Sequence, residues 1–346
     1  MHKLLAATAL VLVPGAFAQS VSPSPFFATR DGDLSMPYVF TQPSRQQQIH
    51  GDLIGNPMVL QSLTFRRDGS ANGTAHAVVP GKTITLSIVL ADSVDCSAAT
   101  NTFANNVTGN AVTVFSGTVS TPAIWGVTAK KSPTDFDFQF PITPWFYAGA
   151  GSFLWDATSS ATSDNTRINL DAAQSAFPLF SLCSYEMHGT GCPLVSGPFE
   201  LRGTGQNLGG LGAYTVGVTA TGMPTTTPGV WIVGFLALDL PIPGVCANLW
   251  PQYAVSVPTT SDATGKATPY FQVPSNPAWL GLPMEMQMAY ADASLPFPVP
   301  VALSNGLTYR VEPMEPAFNV CSVVTGTPGN ATGTLLTTRA AIVRFN

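Results

Sequence analysis

The sequence predicts an all-β protein of β-sandwich, jelly-roll-like type, and three observations carry that expectation. Apolar and polar residues alternate with period two wherever a pattern is legible, sustained helical periodicity is absent beyond the first eighteen residues, and 31 glycines and 30 prolines punctuate short apolar runs. Many short strands with such turn residues between them make sandwiches or jelly rolls. Hydrophobic residues are 45% of the 346 and charged residues only 10%, against about a quarter in an ordinary domain. The solvent face is therefore built from Thr, Ser, Asn, Gln and Gly, while the apolar content suffices to offset the entropy of ordering.

Taken along the chain, residues 1–18 read as an export signal. His2 and Lys3 are followed by an apolar stretch, 4–13, and by Ala16-Phe17-Ala18 before Gln19. The stretch is about half the length that crosses a bilayer and is broken by Pro14-Gly15, so no membrane anchor is expected. Leu63 with Phe65, and Val112 with Val114, fit strands with one apolar face. Ile84, Leu86, Ile88 and Leu90 alternate with Thr83, Thr85 and Ser87, after a turn at Pro80-Gly81. Asp135, Asp137 and Gln139 alternate with Phe136, Phe138 and Phe140, which puts the phenylalanines on the core face. A second block follows Gly189-Thr190-Gly191-Cys192 and a glycine-rich passage, 203–212, expected to be a linker or wide loop. In it, residues 230–238 are almost wholly apolar and predict a central strand covered on both faces. Met284, Met286, Met288 and Tyr290 alternate with Glu285, Gln287 and Ala289, a strand whose methionines pack a core. Asp262-Ala263-Thr264-Gly265 is a turn.

Charge and composition exclude function classes. Net charge is −5, with fourteen Lys plus Arg and no basic run, so there is no electrostatic footprint for nucleic acid. Five cysteines (Cys96, Cys183, Cys192, Cys246, Cys321) suit a compartment where disulfides persist. Two bridges drawn from five thiols can be arranged in fifteen ways, five choices of the odd cysteine times three pairings, and spacing does not choose. No CxxC or Cys/His cluster points to zinc, and no cofactor motif is present.

The runs Arg45-Gln46-Gln47-Gln48-Ile49, Leu63-Thr64-Phe65-Arg66-Arg67-Asp68, Phe103-Ala104-Asn105-Asn106 and Val114-Phe115-Ser116-Gly117 resemble an N-terminal module of secreted bacterial proteins of planctomycete type. Gly189-Thr190-Gly191-Cys192, Pro243-Gly244-Val245-Cys246, Val273-Pro274, Leu280-Gly281-Leu282 and Leu303-Ser304-Asn305-Gly306 are similar to the C-terminal module of the same group, which ordinarily has Pro-Gly-Cys where this chain inserts Val245. The resemblance implies export and two β-sandwich modules, and no activity. It also implies a topology, because residues 340–345 resemble the closing strand of the first module. The expected domains are a signal peptide at 1–18, a first sandwich from 19–187 with 314–346, and a second at 188–313 inserted before the last strand of the first. On that topology Cys183 bridges Cys321 across the insertion, Cys192 bridges Cys246 within it, and Cys96 is left over.

Chemistry is scarce in the sequence. His50, His76 and His188 are the histidines beyond the signal, with no GxSxG or HExxH. His50 with Asp52 is a conceivable acid–base pair. Asp135 and Asp137 read as a solvated strand face, and Asp31-Gly32-Asp33 as a turn without the remaining ligands of a calcium loop. Ionisable residues are too sparse and dispersed to build a scaffold around proton transfer, so neither a catalytic residue nor a metal site is assigned. Sandwiches bind glycans by stacking sugars on aromatic rings. Trp145 and Tyr147, between Pro144 and Ala148-Gly149-Ala150-Gly151, and Trp125 in another turn-rich stretch, are the candidate ligand-binding residues. Asn72, Asn106 and Asn330 open glycosylation sequons. The expected function is an exported, non-enzymatic structural or adhesive protein, secreted or surface-associated, whose partner is an extracellular glycan or a cell-surface protein. The alternative is a secreted polysaccharide hydrolase with paired carboxylates.

Overall fold

The structure is a computed structural model that describes residues 19–32, 34–36, 38–68, 79–122, 124–125, 131–175, 181–194, 197–203, 206–207, 213–274, 276–295, 298–312 and 317–346. The export signal, Asp33, the Asn72 sequon, His76 and most of the 203–212 passage lie outside them. The chain is essentially all-β, in several antiparallel sheets of sandwich-like arrangement, and no described helix is long and apolar enough to cross a membrane.

Alternation builds the first pair of sheets. One has six strands, in the order Thr334–Leu336, Val320–Thr325, Ser44–His50, Phe153–Thr162, Thr83–Ser93, Val107–Ser120. The other has four: Ser20–Ser22, Val343–Phe345, Met58–Phe65, Phe138–Tyr147. Their facing side chains share one core, with Ile84, Leu86, Ile88, Leu90 and Trp155 on one side and Leu63, Phe65, Phe138 and Phe140 on the other. Val343–Phe345 lies between Ser20–Ser22 and Met58–Phe65, so both ends of the described chain share a sheet.

An eight-stranded sheet runs Gln206–Asn207, Ser181–His188, Gly306–Val311, Pro283–Ala291, Pro228–Gly234, Val255–Thr260, with Val301–Leu303 and Lys131–Ser132 paired off this path. It shares a second core with the three-stranded sheet Glu200–Gly203, Ala213–Thr221, Tyr270–Pro274. Met284, Met286 and Met288 are at most 1% exposed there, packed with Trp231, Val216 and Val218.

Three local expectations are corrected, each by an element the period-two pattern cannot see. Val112 is exposed although the register shift between Ile88 and Val89 sets it opposite the core residue Leu90, because it lies on the outer strand, with no described strand beside it on the other side. Residues 230–238 are not one covered strand: the strand ends at Gly234, and Phe235, Leu236 and Leu238 stand exposed on the hairpin Ala237–Leu240/Leu249–Pro251. That hairpin covers the polar face of the methionine strand. Glu285 and Gln287, expected on a solvent face, are buried beneath it, where Trp250 N donates to Gln287 Oε1 (2.9 Å) and Trp250 Nε1 to Glu285 Oε2 (2.6 Å).

Buried amides act as clamps where the motifs had suggested only punctuation. Gln48, on a strand buried on both faces, gives Nε2 to Ala341 O (2.9 Å) and takes Ala341 N on Oε1 (2.8 Å), supplying a backbone-like pair to a residue in another sheet. Asn305 does the same for Leu201, with Leu201 N to Oδ1 at 2.7 Å and Nδ2 to Leu201 O at 3.0 Å. Gly306 must be glycine, since a Cβ there would lie 2.2 Å from Trp250 Cγ.

The disulfides keep one expected pair, Cys192 with Cys246, and correct the other, Cys183 with Cys321. Cys96 bridges Cys321 (Cα–Cα 5.8 Å) and Cys192 bridges Cys246 (5.1 Å), while Cys183 is a buried thiol. The reason is facing. Cys321 projects from the six-stranded sheet away from the first core, onto Ile49, Ala91 and Leu154 beneath the Cys96 loop, whereas Cys183 points into the second core.

Candidate functional site

The structure packs two of the three expected ligand-binding aromatics, Trp145 and Tyr147, into the interior. The Pro144–Gly149 region is strand up to Tyr147, because a register shift between Pro141 and Trp145 restores pairing with Met58–Phe65. Trp145 and Tyr147 consequently face inward, 7% and 2% exposed, and their rings stack at 6.3 Å, with Phe153 4.7 Å from Tyr147. Phe146 between them faces out. Trp125 lies on a two-residue strand paired with Val79–Pro80, and its side chain is outside the described set.

His50 and Asp52 do meet, with a serine the sequence had not singled out. Ser22 Oγ is 2.6 Å from His50 Nδ1 and donates to Asp52 Oδ1 at 3.0 Å. With its proton on Asp52, Ser22 accepts from His50 Nδ1–H, so Ser22 sits between base and acid rather than at the end of a relay. Burial drives His50 down to about 3 and Asp52 up to about 7. His50 is stacked on Phe153 (5.0 Å) with Phe345 at its edge (5.1 Å) and has no exposed surface. The trio ties Ser20–Ser22 to Ser44–His50, with Phe345 of Val343–Phe345 against the His50 ring, and Ser22 and His50 are closed to solvent.

His188 belongs to a second polar group. Its ring lies on Trp250 (4.2 Å, 9° between planes), its Nε2 is 2.9 Å from Thr308 Oγ1, and Thr308 Oγ1 donates to Glu285 Oε2 at 2.8 Å. Glu285 thus takes two donors, Thr308 and Trp250, which satisfies its burial and seats the hairpin.

The scarce charges are not dispersed. Asp31, Arg66, Arg67, Asp68, Asp171 and Glu312 are each at most 3% exposed, and Asp171 feels the charges of Arg66, Asp31 and Asp68 together. Asp171 Oδ2 accepts from Arg66 Nε at 2.6 Å, Asp171 Oδ1 from Gly32 N at 2.9 Å, and Asp31 from Ser132 Oγ. Arg30 pairs with Glu312, which also accepts from Ser184 Oγ. Burial raises the pKa of Asp171 against the pull of Arg66, with Asp31 and Asp68 adding like charge. Phe136, expected to join the strand core, instead has the guanidinium groups of Arg66 (4.8 Å) and Arg344 (5.0 Å) over its ring.

Above this cluster opens a cleft of about 340 Å³ whose lining includes Lys131, Asp135, Phe136, Glu186, Arg310 and Arg344. Lys131 pairs with Asp135 at 2.7 Å. Neither Arg310 nor Arg344 is ion-paired with a described carboxylate; Arg344 Nη2 donates to Phe136 O at 3.3 Å, and its buried Nε has no described partner. Chemically the cleft offers cationic donors beside an aromatic ring, at the small end of ligand-pocket size. Comparison with family models, with curated proteins and with solved structures finds no match. Among the described residues no three His, Cys, Asp or Glu side chains are grouped to hold a metal ion.

One sequence signal pointed here. In a chain that is 10% charged, Arg66-Arg67-Asp68 is three consecutive charges at the end of an apolar strand, and such a run is either solvated or paired in the interior. Of the glycosylation sequons, Asn106 is fully buried and holds Thr100 N (2.8 Å) and Gln47 Oε1 (2.8 Å), so it is closed to modification in the folded chain, whereas Asn330 is exposed.

Proposed function

We propose that this is an exported, non-enzymatic adhesive or structural protein that takes a glycan in the cleft beside Phe136. The observation that carries this reading is the cleft's chemistry. Arg310 and Arg344 supply charged donors not engaged with described carboxylates, and Phe136 is held by two guanidinium groups at the edge of the cleft, a combination suited to hydroxyl- and carboxylate-bearing rings. The carboxylates in the lining favour binding over hydrolysis. Asp135 is 76% exposed and tied to Lys131, and Glu186 is exposed, so neither has the desolvation that makes a general acid at neutral pH. The buried acids below are held by Arg66, Gly32 N–H and Ser132.

Export is supported by the basic-apolar-small start and by the two disulfides. The modular reading, with one sandwich inserted before the last strand of another, is supported by the separate cores and by the return of Val320–Thr325 and Val343–Phe345 to the first pair of sheets. The pairing of Ser181–His188 with Gly306–Val311 supports an insertion that begins before residue 188. The kinship with secreted planctomycete-type modules is part of the same proposal.

A glycan array that includes uronate-bearing sugars tests the binding reading on the full chain. Specific binding is expected, weakened about tenfold or more by Arg310→Ala or Arg344→Ala, equivalent to about 1.4 kcal/mol or more. Binding indifferent to both changes counts against the cleft, and hydrolysis of a bound polysaccharide would replace this reading with an enzymatic one.

A further inference from the structure

The outer strand of the six-stranded sheet, Val107–Ser120, is 14 residues long and among the described residues pairs on one side only, with Thr83–Ser93. An unpaired edge is a row of N–H and C=O groups able to extend the sheet, and proteins ordinarily blunt it with charge, proline or brevity. The other edges of the main sheets are blunted in these ways. Phe138–Tyr147 carries Pro141 and Pro144, Val255–Thr260 carries Pro258, and Ser20–Ser22 and Thr334–Leu336 have three residues each. Val107–Ser120 contains neither a charge nor a proline. Its first half is kinked by register shifts and by Asn110 at φ 48°, but Phe115 through Ser120 pair in unbroken register. In that stretch Ser116, Thr118 and Ser120 are exposed, while Phe115 and Val119 pack on the core yet are only half-buried.

We propose that this edge pairs antiparallel with the same strand of a second copy of the chain, about a two-fold axis at Gly117. That register sets Phe115 opposite the partner's Val119 on the core face, an aromatic and β-branched pair that completes the burial each lacks alone. On the outer face it sets Ser116 opposite the partner's Thr118. This repeats the hydroxyl contact that Thr118 makes with Thr85 within the chain at 2.9 Å. Gly117 meets itself at the axis with no side chain to hold the backbones apart. The contact is isologous, so it closes at two copies, and the two six-stranded sheets become one continuous sheet. No like charges face one another across it.

Sedimentation velocity of the full chain at micromolar concentration is expected to give a dimer. Ser116→Lys with Thr118→Lys is expected to halve the mass with near-ultraviolet circular dichroism unchanged, because both positions are exposed. The variant Ser116→Cys/Thr118→Cys is expected to form a reduction-sensitive covalent dimer, since the register brings each position to the other. A monomeric wild-type chain, or a dimer that survives both lysines, overturns the proposal. Should the lysine variant lose its fold, the cysteine variant decides: without a covalent dimer the proposal fails.

Discussion

Arg66→Met is expected to destabilise the protein by about 3–5 kcal/mol, because it leaves the fully buried carboxyl of Asp171 without its cation, either as an unpaired charge or obliged to take up a proton. The guanidinium also donates to Arg30 O and lies over Phe136, so its loss opens the floor of the cleft. Urea unfolding would register the change as a lower midpoint at nearly unchanged slope. The double variant Arg66→Met/Asp171→Asn is expected to recover much of the loss, since the ionisable group stranded by the loss of Arg66 is replaced by a neutral amide that keeps an acceptor for Gly32 N. A cost for Arg66→Met below about 1 kcal/mol would mean that the pair behaves like a solvated surface bridge.

The second large effect concerns pH. His50 has a folded pKa of about 3 against 6.5 ordinarily, so the unfolded chain binds a proton that the folded chain refuses. Its contribution to stability is complete above about 6.5 and is lost as pH falls toward 3. Asp52, raised from 3.8 to about 7, behaves oppositely: the folded chain keeps a proton that the unfolded chain releases, so its contribution is complete below about 3.8 and is lost as pH rises toward 7. Between roughly 4 and 6.5 the two slopes, each about 1.4 kcal/mol per pH unit, oppose one another. Relative to wild type, His50→Asn is expected to make stability fall with rising pH across that window, and Asp52→Asn to make it rise. Unfolding midpoints of the three proteins from pH 4 to 7 check this. Three parallel curves would show that neither group titrates as its burial dictates.

Much of the fold was legible because it depends on local alternation. Ile84 through Leu90, Leu63 with Phe65, and Met284 through Met288 all face the cores that their spacing assigned them. Alternation fails where a second layer arrives from elsewhere in the chain. Gln287 was read as solvent-facing because it is polar, yet it is buried under Trp250 and hydrogen-bonded to Asn248 O and Ser304 O. Phe235 and Leu236 were read as covered because they are apolar, yet they stand on the very hairpin that does the covering. The candidate site was less legible still. Lys131, Phe136, Arg310 and Arg344 come from three separate stretches of chain, and nothing in their spacing relates them. Trp145 and Tyr147 misled for a related reason: glycine and proline flank them as they would a loop, but pairing to Met58–Phe65 continues through them.

The sequence by itself determined the β class, the core faces of individual strands and the paucity of charge, because these follow from side-chain period and composition. Only the tertiary structure decided which cysteines bond, which polar groups are buried, and that the few charges converge beneath one cleft. Those outcomes depend on which strand lies beside which and on which face it turns there, and long-range pairing sets both.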